Sequence, residues 1–219
     1  MTQGLRYKFN GSSLSVQTAL AAGKVITSIS SADPGVVSST AHGYVAGDVA
    51  KISGLAAPIT LNDKLFVVDN EASGTWEMAG TDTSGLDAFV AGSPDTDAIS
   101  QKVTFSEFCE LTGANQQDGA ADQIEVTTIC SDAKEFEQGL SDSGTLQLDY
   151  NAAPLSSVQT ALRAAKVSGD QIAVKIVFPN SGGTIIVIGT VQQQSIQGQV
   201  NGVWTGSCTL KLSGPIFVL

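Results

Sequence analysis

From Lys102 to the C-terminus, apolar and polar residues alternate with a period of two, as strands that bury one face require. Val103, Phe105, Cys109 and Leu111 fall on one face, interrupted by Glu107. Leu146, Leu148 and Tyr150 alternate with Thr145, Gln147 and Asp149. Ile172, Val174, Ile176 and Phe178 alternate with Gln171, Ala173, Lys175 and Val177, and Trp204, Cys208, Leu210 and Leu212 with Thr205, Thr209 and Lys211. Pro179-Asn180-Ser181-Gly182-Gly183 predicts a chain reversal between two long strands. Val200-Asn201-Gly202-Val203 predicts a two-residue type I′ hairpin, because Asn and Gly tolerate positive φ. The last 49 residues therefore predict three or four antiparallel strands.

One stretch breaks the period. Ser156-Ser157-Val158-Gln159 has the form of a capping box, in which Ser and Gln side chains satisfy each other's backbone N–H groups. Leu155, Val158 and Leu162, with Ala161 and Ala165, form an apolar stripe, and Arg163 and Lys166 suit the negative end of a helix dipole. Gly169 supplies a stop, so a helix is predicted over about 155–167, with a sheet needed to cover its stripe. Residues 15–25 repeat 157–167 at nine of eleven positions, and this pattern alone leaves helix and strand both open there.

Residues 25–101 predict a separate small β unit. Val25–Ile29, Val49–Ile52, Leu65–Val68 and Thr75–Met78 are short strands punctuated by Asp33-Pro34-Gly35 and by Gly74, Gly80, Gly85 and Gly92, and an Asp95-Thr96-Asp97 loop closes them. The fold class expected is mainly β, a sandwich or barrel made of 1–24 and 102–219, with one flanking helix and an inserted small β domain over 25–101.

Charge sharpens this division. The 219 residues carry a formal charge of −10 with only 15% charged residues, and 42% are hydrophobic, enough for an ordinary core. Residues 1–24 sum to +3, 25–101 to −8 and 102–170 to −7, while the last 49 contain no acid and sum to +2. A chain this acidic repels polyphosphate, which argues against specific nucleic-acid binding. Cys109, Cys130 and Cys208 lack CxxC spacing, which fits free thiols in a reducing compartment. The N-terminus shows no apolar stretch of signal-peptide length, and the longest aliphatic run, Ile185–Ile188, is far shorter than a membrane span, so no membrane association is expected.

Catalytic chemistry is not expected. There is no G-x-S-x-G, P-loop, G-x-G-x-x-G before a helix, or H-x-x-x-H. His42 lies in a turn-like Ala41-His42-Gly43 context that suits solvation or capping. Asp82 with Asp87, or Asp95 with Asp97, does not match EF-hand spacing, and turn chemistry accounts for them. No catalytic residue, metal ligand or cofactor is assigned.

Two stretches resemble known proteins. Thr40-Ala41-His42-Gly43, continuing through Gly47-Asp48 to Gly54, then Leu61-Asn62 to Asp69, and finally Trp76 to Gly85 with its Gly80-Thr81-Asp82-Thr83 turn, resembles a small β module recurrent in phage structural proteins. Residues 1–24 and 102–219 are similar in layout to the major tail tube proteins of long non-contractile, lambda-like siphovirus tails. The shared order is a first strand, a sheet–loop–sheet segment, the acid-rich Ser131–Leu140, one helix and closing hairpins. The chain departs from that pattern by carrying the small module and by lacking a C-terminal immunoglobulin-like domain.

The resemblance implies a structural virion protein, assembled in the host cytoplasm, that forms hexameric rings stacked into a tail tube. Its implied partners are further copies of itself, the tape measure, tail terminator and distal tail proteins, and DNA only in transit. Asn115, Gln116, Gln117 and Asp118, in the polar stretch 113–122 read as a loop between strands, would contact the next ring. Glu107, Glu125 and Asp149 would face the lumen and repel phosphate. Tyr7, Phe9, Ile216 and Phe217, near the ends of the chain, would touch neighbouring subunits, and the apolar Pro215–Leu219 must be buried on its own core or on a neighbour. Two alternatives are another virion component, such as a head decoration or tail terminator protein, and an extracellular binding module for carbohydrate or a host surface. The second needs an exposed aromatic platform around Trp76 or Trp204.

Overall fold

The structure, a computed structural model, describes residues 6–91 and 97–219. Met1–Leu5 and Gly92–Thr96 lie outside them, and with them Gly92 and most of the Asp95–Asp97 turn. In chain order the strands are β1 (Ser13–Leu20), β2 (Lys24–Val25), β3 (Ser28–Ile29), β4 (Val36–Ser38), β5 (Val49–Ser53) and β6 (Leu55–Ala57). Next come β7 (Leu65–Ala72), β8 (Thr75–Met78), β9 (Val90–Ala91), β10 (Ile99–Glu107), β11 (Leu111–Gln117), β12 (Ala121–Glu125) and β13 (Phe136–Ser141). The chain ends with β14 (Thr145–Asn151), helix α1 (Ser157–Ser168), β15 (Gln171–Val177), β16 (Thr184–Gln197), β17 (Thr205–Leu212) and β18 (Phe217–Val218).

The protein is mainly β, a large antiparallel sheet consistent with a β-sandwich carrying one helix. Its strand order is β11-β14-β17-β16-β15-β1-β10-β5-β7-β8-β4-β3. Two strands change partners along their length. β10 pairs with β5 and β2 over Ile99–Lys102, then with β1 over Val103–Glu107. β16 pairs with β15 up to Thr190 and with β17 from Gly189 onward, with a bulge between Val191 and Gln193. A bulge bends a strand and increases its local twist, so β16 turns the sheet's corner there.

Three apolar clusters follow. Leu14, Val16, Leu146, Leu148, Tyr150, Val174, Val187, Leu210 and the helix residues Val158 and Leu162 form the main core. Val37, Ile52, Phe66, Val68, Trp76 and Met78 form the core of the small β unit. A third cluster joins them: Val49, Leu65 and Val67 of the small unit pack on Val103, Ala173, Ile186 and Ile188. The run Ile185–Ile188 is thereby explained. Ile185 and Val187 face the main core while Ile186 and Ile188 face the small unit, so the strand is covered on both sides.

The helix begins at Ser157 rather than 155, and Leu155 is 98% exposed because it precedes the cap. Ser156 accepts the Gln159 N–H, but Gln159 does not return the bond. Its buried side chain instead accepts from Ala153 N–H at 3.0 Å and donates to the Asn151 carbonyl at 2.9 Å, holding the preceding loop. Gly169 closes the helix at φ 77°, with its N–H on the Ala165 carbonyl at 2.9 Å.

Other expectations shift as well. β10 ends at Glu107, so the turn that follows resets the alternation: Phe108 enters the core and Cys109 is exposed. The type I′ turn sits at Asn180-Ser181, both at φ 56°, with Gly182 N–H on the Pro179 carbonyl. Asn201 alone is at positive φ in the β16–β17 loop, where Gly202 N–H reaches the Gln199 carbonyl and the strands close only at Gln197 and Thr205. A two-residue hairpin is therefore replaced by a wider loop.

Candidate functional site: assembly surfaces

The first surface is a two-stranded ribbon. Residues 113–117, expected in a loop, are strand: Asn115 pairs with Gln147, Gln116 with Leu146 and Gln117 with Thr145. Polar side chains do not prevent this, because the backbone ladder to β14 forms whatever they are. Asn115 and Gln117 then share a face with Gln147 and Asp149, Gln116 points to the other side, and Asp118 begins the ribbon. Past Asp118 the chain leaves the main sheet, and β12 and β13 pair only with each other. At the neck, a Cβ on Gly144 would collide with the Gln117 carbonyl oxygen, and one on Gly119 with the Asp142 carbonyl, so both positions require glycine. Asp142 caps the Gly144 N–H at 3.0 Å and pairs with Lys211; Lys211 first, then the Gly144 N–H, holds its carboxyl below the usual range.

Residues 118–142 contain seven carboxylates against Lys134 alone. Ile124 (54% exposed), Phe136 (52%) and Leu140 (88%) nevertheless lie in solvent on this ribbon, as does Ile129 near its tip. Bare apolar side chains beside dense charge mark a contact surface better than either feature alone.

The second surface is a sheet face. Asn115, Gln147, Thr209 and Gln193 form one cross-strand row; Gly113, Asp149, Ser207 and Ser195 form the next. All lie opposite the core residues Leu146, Leu148, Cys208 and Leu210. Ser195 and Ser207 share a 2.8 Å hydroxyl bond, and Gln147 Nε2 donates to Asp149 at 3.1 Å. Both edges of this part of the sheet are open among the described residues: β11 has β14 on one side only, and β16 has β17 but no second partner beyond Thr190.

The three candidate lumen acids fall on three elements. Asp149 is half-buried on this polar face, Glu107 is exposed at the end of β10, and Glu125 ends β12 with Lys134 Nζ 3.4 Å away.

At the ends of the chain, Tyr7 stacks on Phe178 at 5.7 Å and Phe9 is 55% exposed. The C-terminal segment docks on its own subunit. β18 pairs with Ile185 and Ile186, Leu219 exchanges backbone bonds with Thr184 at 2.8 and 2.9 Å, Ile216 packs on the main core, and Phe217 on the bridging cluster.

The motifs of the small unit turn out to be structural supports. His42 is buried, not solvated; its Nδ1 accepts the Tyr44 N–H at 3.1 Å and its Nε2 donates to the Ala72 carbonyl at 2.7 Å. Tyr44 donates to Ser100 at 2.8 Å, and burial pushes its phenol above the usual range. Asp48 accepts the Val45 N–H at 2.9 Å and pairs with Lys102 on β10. Asn62 clips Leu55 through both its amide oxygen and its amide nitrogen, and the buried Thr83 hydroxyl donates to the Ser30 and Ala32 carbonyls. Trp76 is completely buried, so it offers no binding platform; Trp204 is 63% exposed. Among the described residues no three His, Cys, Asp or Glu side chains converge as metal ligands would.

The three cysteines are free thiols; Cys109 and Cys130 are both exposed, the first in a turn and the second near the ribbon tip. Burial pushes the Cys208 thiol up to about 11. A thiol reagent at pH 8 is expected to label Cys109 and Cys130 quickly and Cys208 only on unfolding, because the thiolate is the nucleophile. Mass spectrometry of the native protein checks this, and rapid triple labelling would contradict the packing around Cys208.

Among curated proteins, none matches the chain significantly. Residues 81–185 match the family model described as phage tail tube, TTP, lambda-like. That span runs from the turn after β8 through β10, β11, the ribbon, β14, α1 and β15 into the start of β16, so it contains the whole ribbon and one open sheet edge. That match, on a mainly β chain of this layout, supports a phage tail tube protein of the lambda-like kind, a structural family.

Proposed function

We propose that this chain closes into rings, six subunits by the family resemblance, and that the rings stack into the tube through which the genome leaves the virion. The observation that carries this reading is the stretch β11-β14-β17-β16, with both edges open and one face uniformly polar. If β11 of one subunit pairs with the distal half of β16 in the next, the sheet continues head-to-tail around the ring and hides both edges.

The polar face then lines the lumen. Its amides and hydroxyls carry one carboxylate, Asp149, and its cation Lys211 is already paired with Asp142. Such a wall gives phosphate nothing to hold, so DNA slides. Asp149 stands on the wall, Glu107 at the end of β10 is the second lumen acid, and Glu125 lies at the ring junction, where the ribbon, with Asn115 to Asp118 at its root, reaches the neighbouring ring. The unit 25–101 is an inserted domain on the outside, and the tape measure, terminator and distal tail proteins are the further partners.

Electron microscopy of the purified chain across concentration tests assembly. Rings or tubes are expected, and monomers at every concentration, even with tail initiation components present, would overturn the reading. Glu107→Gln, Glu125→Gln and Asp149→Asn together are expected to leave tubes intact and slow DNA ejection. Unchanged ejection would remove these acids from the lumen.

A further inference from the structure

The main core is open at one end. Between the N-terminal segment and the ends of β11, β15 and β16 lies a groove walled by Tyr7, Phe9, Leu111, Ile176, Phe178 and Ile185. Lys8 stands on the same groove, Arg6 is two residues away, and residues 1–24 contain no acid. Neither cation forms an ion pair among the described residues. The groove is thus apolar inside with positive charge at its rim, and nothing among the described residues fills it.

The complementary object is the ribbon. Phe136 and Gln138 share one of its faces, Glu135 and Glu137 lie on the other, and the register shift before Ser141 takes Leu140 off the Phe136 face. At about 3.3 Å per residue, the dozen residues from Asp118 to Ile129 extend up to about 40 Å, beyond the subunit's own sheet. We propose that the groove receives the ribbon of a second copy of this chain, with Phe136 entering between Phe9, Ile176 and Ile185 and Glu137, on the ribbon's other face, meeting Lys8 at the rim. This rests on the tube reading above and supplies the receiving surface that reading lacks. Charge complementarity selects the occupant: a ribbon with seven carboxylates against one lysine meets an apolar groove whose rim carries Lys8, two residues from Arg6, and whose flanking segments, 1–24 and 171–219, contain no acid.

The test uses Cys109→Ser and Cys130→Ser, with Cys208 kept because it is buried. Ser12→Cys at the groove and Gln138→Cys, on the same ribbon face as Phe136, are added, leaving every apolar contact intact. Tubes formed by this variant and treated with a mild oxidant such as diamide are expected to give a ladder of disulfide-linked chains on a non-reducing gel. A control pairing Gln138→Cys with Trp204→Cys is expected to give none. Normal tubes without a ladder, or an equal ladder from the control, would overturn the groove assignment while leaving the tube reading intact; absence of tubes even from the parent chain would overturn both. As a second arm, Lys8→Glu is expected to raise the concentration needed for tubes about tenfold, and added Glu137→Lys to restore it. Failure of that rescue when Lys8→Glu does impair assembly would also overturn the pairing.

Discussion

Excising residues 120–140 and joining Gly119 to Ser141 is expected to yield a subunit that folds normally and never forms stacked tubes. The ribbon contributes no residue to any of the three apolar clusters, so its removal opens no cavity. Its neck is already closed in the native chain, where Gly119 lies against Asp142 and Gly144 against Gln117. The shortened loop therefore links positions that are close in space, and the β11–β14 ladder up to Gln117 and Thr145 remains whole. Stability should stay within about 1 kcal/mol of the parent, as for surface changes away from buried features. Solubility should rise, since Ile124, Phe136 and Leu140 leave with the ribbon. Thermal melts check the fold and electron microscopy checks assembly; full-length tubes from the shortened chain would remove the ribbon's assigned role. A deletion reaching back to Asn115 would instead strip β11 from its partner and confuse misfolding with failed stacking.

The limits of the sequence are clearest where identical residues fold differently. Ser-Val-Gln-Thr-Ala-Leu is strand at 15–20 and helix at 157–162. Helix propensity is the same in both copies, so flanking residues and packing decide. The second copy follows Ser156, which caps it, and its Val158 and Leu162 reach the core with helical spacing. The first follows Ser13-Leu14, continues that alternation, and lies between β10 and β15, where Gln17 accepts the Ala173 N–H at 3.1 Å.

Alternation was legible for Leu146–Tyr150 and for Cys208–Leu212 because one face of those strands is covered. It failed at Ala173 and in Ile185–Ile188, which are covered on both faces by elements distant in the chain. The ribbon was illegible for the opposite reason. Its strands bury almost nothing, so they carry no hydrophobic period, and a polar strand reads as a loop. The two open edges were equally hidden, since an edge is a property of topology that single-strand patterns do not record. The groove was invisible too, because Tyr7 and Phe9 meet Leu111 and Ile185 only after the sheet has formed.

The inserted unit and the main sheet are expected to unfold together, although each has a core of its own. Leu65, Val67 and Val49 are buried against Ala173, Ile186 and Ile188, β10 runs unbroken from one sheet region into the other, and Gln171 accepts the Leu65 N–H at 3.1 Å. Ile186→Ala should cost about 2–5 kcal/mol, through lost burial and the cavity left behind. Val67→Ala, across the contact, removes fewer atoms and should cost roughly 1–3 kcal/mol by the same mechanism. The two side chains belong to one apolar cluster, so the double variant should differ from the sum of the singles by about 0.5–3 kcal/mol.

Each core carries its own reporter of unfolding. Trp76 lies wholly inside the small unit, and its fluorescence can be isolated with Trp204→Phe; Cys208 lies wholly inside the main core, and its thiol becomes reactive when that core opens. In urea the two signals should change at one midpoint in the parent chain. A Trp76 transition that completes before Cys208 becomes reactive, together with additive single-site costs, would mean that the bridging cluster does not couple them and that 25–101 behaves as an independent domain. In the coupled case the small unit serves as an outer brace on β15 and β16. Strain on the closing hairpins would then have to disrupt that brace as well, which gives the subunit a physical reason to retain the unit.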